Sequence, residues 1–215
     1  MEIILLSVVV GVGTGVASSL IAWLILFHYL SPKAVFSNCI YKRYSRIRGC
    51  GYNYQFTVQN SRRRAAIDLE LTAKLTLVQF PPSAPDGISN TFTIPTGGER
   101  LPFFPGFKRK QKSTLRISLL LDDDSFRHKL LGFQAYLPEP LVQKLTDSCV
   151  SLEELLKLAP GSFVRLSVLL TDATSGSRRI YLSDPYSLES IQEDESYETA
   201  LREDSGDRIA GEPNK

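Results

Sequence analysis

The side chains that could carry chemistry are few and scattered along the chain. The 215 residues include two histidines, His28 and His128, and three cysteines at positions 39, 50 and 149. Two histidines cannot build a three-histidine metal site, and the cysteines lack the paired CxxC spacing of zinc and redox motifs. No serine or cysteine has the context of an activated nucleophile. The sequence therefore predicts no catalytic residue, no metal ligand and no cofactor, and we expect that the protein is not an enzyme.

A run of three carboxylates is the pattern that most suggests a divalent cation. It consists of Asp122, Asp123 and Asp124. Adjacent side chains point in different directions, and no EF-hand loop follows, with glycine at its sixth and glutamate at its twelfth position. The pattern favours a charged end of a strand.

Charge is unevenly distributed along the sequence. The net charge is only +2, yet residues 31–120 carry fifteen basic and four acidic residues, whereas residues 186–215 carry three and nine. Such asymmetry is typical of a surface or tail that meets a charged partner, and a solvated surface with a solubilising tail explains it equally well. Nucleic acid fits poorly, because no aromatic side chains are spaced regularly among the basic residues.

Two groups of basic residues are candidate contacts for an anionic partner. The first group follows the uncharged N-terminal segment 3–30, which is described below as a membrane span, and we call it the membrane-proximal group. It would contact anionic lipid or only fix the topology of the chain. It comprises Lys33, Lys42, Arg43, Arg46 and Arg48. A second group would bind phosphate, phosphoinositide or an acidic protein segment, or stay solvated. It lies in a predicted hairpin turn and in a predicted loop before a strand, and comprises Arg62, Arg63, Arg64, Lys108, Arg109, Lys110 and Lys112.

The N-terminal segment predicts a membrane anchor. Ile3 to Leu30 is 28 residues without one Asp, Glu, Lys or Arg, and about 20 apolar residues suffice to cross the hydrocarbon core. A cleaved signal peptide is the alternative, but it needs a basic n-region, a shorter apolar stretch and a small-residue cleavage site. Here the acidic Glu2 precedes the apolar run and Ser31-Pro32-Lys33 follows it. We therefore expect a retained single-pass span within an anchor segment of residues 1–32.

The basic residues that follow this span predict its orientation. Positively charged flanks stay in the cytoplasm, and the five membrane-proximal basic residues all follow the span. An odd number of scattered cysteines also suits a reducing compartment better than a disulfide framework does. The sequence thus predicts a protein of the cell membrane with its C-terminal domain in the cytoplasm.

Small residues recur at every fourth position of the span and would form one ridge on a helix. Such a ridge lets a second helix approach closely, although glycine is common in membrane helices without association. If the ridge is used, its partner is either a second copy of this chain or another membrane protein. The ridge consists of Ser7, Gly11, Gly15 and Ser19.

After Pro32 the sequence changes to the period-two alternation that is typical of strands with one buried face. The longest alternation runs from Ile67 to Leu77. Further alternation covers 54–58, 115–121 and 164–170, and shorter candidate strands are 35–40, 91–94, 133–136 and 179–183. Seven or eight strands separated by turns predict an all-β fold, an antiparallel β-sandwich, over residues 33–190.

Little helix is expected outside the anchor. A capping box formed by Ser151 and Glu154 predicts one short helix that ends at Pro160-Gly161, and residues 138–146 predict a second helical turn. Residues 172–177 have the composition of a hairpin turn. Residues 191–215 are acidic and poor in apolar side chains, which predicts a disordered tail. This tail is either a solubiliser, an interaction segment or a lid over the basic half of the chain.

Short phrases along the domain also follow the order of a known family. They are Val35-Phe36-Ser37, Phe56 to Arg62 ahead of the long alternating strand, Leu152 to Leu155, Phe163 to Leu170, and Tyr186. In this order they resemble the cytoplasmic domain of inward-rectifier potassium channels. The resemblance implies an immunoglobulin-like sandwich, an oligomer, and control by anionic lipid at the membrane face. The chain departs from that family in having one span and no TVGYG-like filter, so potassium conduction is not implied.

Three functions fit these features. The first is a membrane-anchored interaction or sensing protein with a cytoplasmic β-sandwich that binds lipid or protein. The second is an envelope binding or adhesion module on the outer side of the membrane. The third is an accessory subunit of a channel or transporter, which only the resemblance suggests.

Overall fold

A computed structural model describes residues 2–25, 31–45, 51–83, 88–106, 114–148 and 150–194. The N-terminal helix α1 spans Glu2–Leu24. Its side chains are described at Ser7 and from Val10 onward, and all of these are exposed. Val12, for example, retains 63% of its surface. Among the described residues, no helix is both long and apolar enough to cross a membrane. Residues 26–30 of the expected span lie outside the described part.

The described strands form two five-stranded sheets, and the first sheet is built around the strand β3. It contains β1 (Ala34–Phe36), β2 (Ile40–Tyr44), β3 (Tyr52–Asn60), β7 (Thr114–Leu119) and β10 (Ile191–Glu193). β3 pairs antiparallel with β1, β2 and β7, and β10 pairs with β2 in parallel. This parallel pair departs from the purely antiparallel arrangement expected from the sequence.

The second sheet is built around β4, the longest strand. It contains β4 (Ala66–Val78), β5 (Ser89–Ile94), β6 (Arg100–Phe104), β8 (Phe163–Asp172) and β9 (Arg178–Leu182). β4 pairs with β5, β6 and β8, and β9 pairs with β8, all antiparallel. The expected turn at residues 172–177 is confirmed as the connection of the β8–β9 hairpin.

The two sheets share one hydrophobic core. Along most of each long strand every second residue is buried, as with Tyr54, Phe56 and Val58 on β3, and these residues join Leu75 and Leu166 of the second sheet in a single cluster. The start of β4 departs from the expected alternation, because a register shift between Ile67 and Glu70 leaves Ile67 exposed. Each such side chain contributes about 1.5–3 kcal/mol when fully buried. The prediction of a β-rich domain is therefore confirmed.

Three short helices of the described part pack on this core, one or two more than expected. They are α2 (Asp124–Leu131), α3 (Glu139–Thr146) and α4 (Leu152–Lys157). The capping box of α4 is present as predicted, because Ser151 Oγ accepts from the backbone N–H of Glu154 and the Glu154 side chain accepts from the N–H of Ser151. The helical turn expected at 138–146 is confirmed by α3.

Three local expectations were wrong. The aspartate run does not end a strand but starts α2, because Asp123 caps the helix by accepting from the backbone N–H of Phe126. Residues 133–136 are not a strand, and a 3₁₀ turn covers Gln134–Tyr136. The disordered tail was expected to begin at residue 191, but residues 191–194 are ordered against the first sheet. Ile191–Glu193 form β10, and Asp194 donates its N–H to the carbonyl of Lys42. Residues 195–215 lie outside the described part of the chain.

Candidate functional site

One buried amide organises the end of the domain that follows α1. The Asn60 side chain is 1% exposed. Its Oδ1 accepts from the backbone N–H groups of Lys33 and Arg62 at 3.3 and 3.1 Å, and its Nδ2 donates to the carbonyls of Arg64 and Pro105 at 2.8 and 3.3 Å. Asn60 thus holds together three separate segments, namely the start of the domain, the loop between β3 and β4, and the loop after β6.

The loop at Arg62, Arg63 and Arg64 connects the two sheets and is not the hairpin turn that the sequence predicted. β3 has partners on both edges, namely β1 and β2 on one side and β7 on the other. No edge of β3 is left for β4, so the chain crosses to the second sheet.

The loop after β6 lies directly against this crossing. A Cβ atom added to Gly106 would lie 1.9 Å from the carbonyl oxygen of Arg63, so only glycine permits this approach of two backbones. The chain therefore enters the segment 107–113 beside Arg63. Four basic residues that were expected to contact an anionic ligand or partner fall in that segment and lie outside the described residues. They are Lys108, Arg109, Lys110 and Lys112.

A buried ion pair holds the β8–β9 turn at the same end of the domain. Asp172 is 1% exposed and accepts from the N–H of Thr174 at 2.9 Å, from Ser175 Oγ at 2.8 Å and from Arg64 Nη1 at 3.4 Å. Burial by itself would raise the pKa of Asp172, but these hydrogen bonds and the Arg64 charge outweigh it and hold the pKa below the ordinary value. The Arg64 side chain therefore stabilises this turn through its ion pair with Asp172.

The remaining side chains of this end form a surface that we call the basic end, made of Lys33, Arg62, Arg63, Ile67 and Phe103. Lys33 and Arg63 are exposed and Arg62 is half-buried. Ile67 and Phe103 are cross-strand neighbours on β4 and β6 and are 38% and 58% exposed. Basic and apolar groups therefore lie side by side where the chain arrives from α1.

The structure does not bring Lys42 and Arg43 to the basic end. Lys42 lies opposite Tyr54, which is about 20 Å from Asn60 at 3.3 Å per strand residue. Lys42 Nζ lies 2.8 Å from Glu153 Oε1, and Arg43 Nη2 lies 2.5 Å from Asp194 Oδ2. Two further membrane-proximal candidates, Arg46 and Arg48, lie outside the described residues.

The contacts of Lys42 form a structural network. Glu153 on α4 accepts hydrogen bonds from Lys42 and from the Tyr54 hydroxyl, and Lys42 Nζ lies 4.2 Å from the centroid of the Tyr52 ring. Burial by itself would raise the pKa of Glu153 and lower that of Lys42. Their mutual hydrogen bond and charge outweigh burial, so the Glu153 pKa lies below its ordinary value and the Lys42 pKa above. The pair ties α4 to the first sheet.

The small residues of the ridge lie on α1. A Cβ added to Gly11 or Gly15 would meet no atom within 4 Å, so a second helix has room to approach there. Ser7 and Ser19 are exposed on the same helix. The structure holds one chain, and association through the ridge stays a prediction.

The described residues include no group of three His, Cys, Asp or Glu placed to hold a metal ion. Cys39 is buried, and His128 lies on the surface helix α2. Among the depressions that described residues line, two in the domain have a volume of about 340 Å³ each. One is polar and lies on the outer face of the first sheet, and the other is apolar and lies between Phe80, Tyr136 and Leu158.

Sequence reasoning missed Asn60 and Asp172 as the residues that shape the basic end. Both are polar residues that end an alternating strand at a position where the alternation predicts a buried side chain. A buried polar side chain needs hydrogen-bond partners, and this is the signal that could have identified them. No family model and no curated protein matches this chain.

Proposed function

We propose that this chain is a non-enzymatic, single-pass membrane protein whose cytoplasmic, immunoglobulin-like β-sandwich lies with its basic end on anionic lipid and acts as an interaction or sensing module. The observation that carries the proposal is the Asn60 amide. It fixes the arginine loop to the residues that connect the domain to α1. Positive charge and exposed apolar groups are thereby held where the domain meets its anchor.

The anchor is supported by the composition and length of the N-terminal segment. Residues 3–30 contain no charged side chain. About 20 apolar residues cross a hydrocarbon core of about 30 Å, and the uncharged segment has 28 residues, of which 26–30 lie outside the described part of the chain. The exposed valine, leucine and isoleucine side chains of α1 would otherwise be in contact with water, and a bilayer would bury them.

An immunoglobulin-like sandwich is supported by the sheets and their common core. Two largely antiparallel sheets of five strands enclose residues that alternate inward along β3, β4 and β8. Aligned packing of two such sheets is the arrangement of immunoglobulin-like domains.

Docking on lipid is supported by the short connection between α1 and the basic end. Six residues lie between Leu24 and Ser31, and these seven steps of extended chain span at most about 25 Å. Each basic side chain close to an anionic leaflet contributes about 1 kcal/mol, so the exposed Lys33 and Arg63 together contribute about 2 kcal/mol. That free energy favours the docked orientation by about thirtyfold, and Phe103 adds an aromatic ring of the kind that suits the interface.

Hydrogen exchange of the full chain in nanodiscs tests this function. We expect the amides of residues 61–64 to exchange several-fold more slowly in phosphatidylserine-containing nanodiscs than in phosphatidylcholine nanodiscs. The protection should disappear in an R62Q/R63Q variant and in high salt, which screens the attraction.

The matched control is Arg165→Gln, which removes an exposed arginine from the outer face of the second sheet. This variant should keep the protection. Docking by the basic end would be refuted if residues 61–64 exchanged at the same rate in the two kinds of nanodisc. It would also be refuted if R165Q lost as much protection as R62Q/R63Q.

A further inference from the structure

The outer face of the first sheet contains a polar depression of about 340 Å³ that is separate from the basic end. Its floor is the outward-facing half of β3, namely Gln55, Thr57 and Gln59, whose strand neighbours point into the core. Its sides are Tyr41 and Arg43 on β2 and Thr114 and Arg116 on β7, and Asp194 also lines it. We call it the outer-face depression.

One half of the outer-face depression is rigid and nearly neutral. Arg43 is held by Asp194, with Nε and Nη2 at 2.7 and 2.5 Å from the carboxylate oxygen Oδ2. The Gln55 amide is fixed at both ends, since its Oε1 accepts from Arg43 Nη1 at 3.4 Å and its Nε2 donates to Ser118 Oγ at 3.3 Å. This half can therefore present oriented polar groups without rearrangement.

The other half presents polar side chains that the fold does not use. The described residues supply no hydrogen bond or ion pair to the side chains of Thr57, Gln59, Thr114 and Arg116. Thr57 and Gln59 are half-buried and Thr114 and Arg116 are exposed, so the polar groups of all four side chains are accessible to a ligand. Arg116 is the one cation of the depression that has no acidic partner among the described residues. Four unused polar groups thus converge on one concave surface.

We infer that the outer-face depression binds a small hydroxylated oxyanion, a phosphate or carboxylate carried on a hydroxyl-rich molecule. Arg116 would hold the oxyanion, because its planar guanidinium matches two oxygens at once. Thr57, Gln59 and the oriented Gln55 would pair with the hydroxyl groups. The volume lies at the lower end of the range of small-molecule sites, which suits a ligand of sugar-phosphate size.

Calorimetric titration of the full chain in detergent micelles tests this inference with four probes. Glucose 6-phosphate and gluconate carry both an oxyanion and hydroxyl groups, inorganic phosphate carries only the oxyanion, and glucose carries only the hydroxyl groups. We expect at least one of the first two to bind tenfold or more tightly than either single-feature probe. Which of the two binds more tightly identifies the oxyanion.

Substitution of Arg116 shows whether the binding occurs in this depression. Arg116→Gln should lower the affinity at least tenfold, and Arg116→Lys should lower it less because the charge stays. Arg165→Gln serves as the matched control on the other sheet and should leave the affinity unchanged. The inference is overturned if neither combined probe binds more tightly than inorganic phosphate and glucose. It is also overturned if R116Q binds as R165Q does.

Discussion

Removal of the Asn60 side chain tests whether this amide holds the basic end together. Asn60→Ala deprives the N–H groups of Lys33 and Arg62 and the carbonyls of Arg64 and Pro105 of a partner. Each hydrogen bond contributes about 1 kcal/mol net to stability, and the loss is smaller for a backbone group that can bond to water instead. We therefore expect a loss of about 3 kcal/mol, which corresponds to a fall of about 6–12 °C in the melting temperature of a domain of this size.

A thermal melt of the full chain in detergent micelles, followed by circular dichroism of the β-sheet signal, measures this loss. Asn53→Ala is the matched control, because Asn53 lies on the same strand and its amide nitrogen makes a single bond, to Ser118 Oγ at 3.2 Å. It should cost about 1 kcal/mol or less. If N60A lowers the melting temperature no more than N53A does, the role assigned to Asn60 is wrong.

Three further substitutions test other parts of the structure by the same melt. Lys42→Met should destabilise the chain by about 3 kcal/mol, because it leaves the half-buried Glu153 without its cation, and adding Glu153→Leu should restore most of the loss. A depressed Glu153 pKa stabilises the fold above the unfolded value of about 4.3. The difference in stability between wild type and K42M should therefore shrink as the pH falls below about 4. A stability difference at pH 3 as large as that at neutral pH would contradict this reasoning. Gly106→Ala should destabilise the chain strongly, because its Cβ would overlap the Arg63 carbonyl. If G106A melted at the wild-type temperature, the two backbones would not be in contact. Ser151→Ala should cost about 1 kcal/mol through the lost N-cap of α4, and a neutral result would mean that the cap does not hold the helix.

The β-rich character of the domain could be predicted because each long strand has one buried face. Alternation from Ile67 to Leu77 locates most of β4, and the Ser151 capping box locates α4, since both signals lie within a few residues of sequence. The helix α2 was missed for the opposite reason. Its two buried residues, Phe126 and Leu130, lie four positions apart in an otherwise polar stretch, and so short a pattern resembles a loop.

The candidate sites could be predicted less well, because they depend on contacts between distant residues. Lys33 and Lys42 are close in sequence to the expected span, yet only Lys33 lies at the basic end, since β2 runs away from it along β3. Sequence alone places Lys42 beside the membrane and cannot show its pairing with Glu153, which is 111 positions away. The outer-face depression likewise joins β2 to β7 across β3.

Protease accessibility of an epitope fused after Lys215 tests the central claim most directly, because the claim requires the domain to lie inside the cell. The account predicts that the epitope survives protease treatment of intact cells and is lost after lysis. Loss of the epitope in intact cells with an undamaged membrane would contradict the cytoplasmic placement. It would also remove the anionic leaflet on which the basic end is proposed to dock, and would favour a binding module on the outer side.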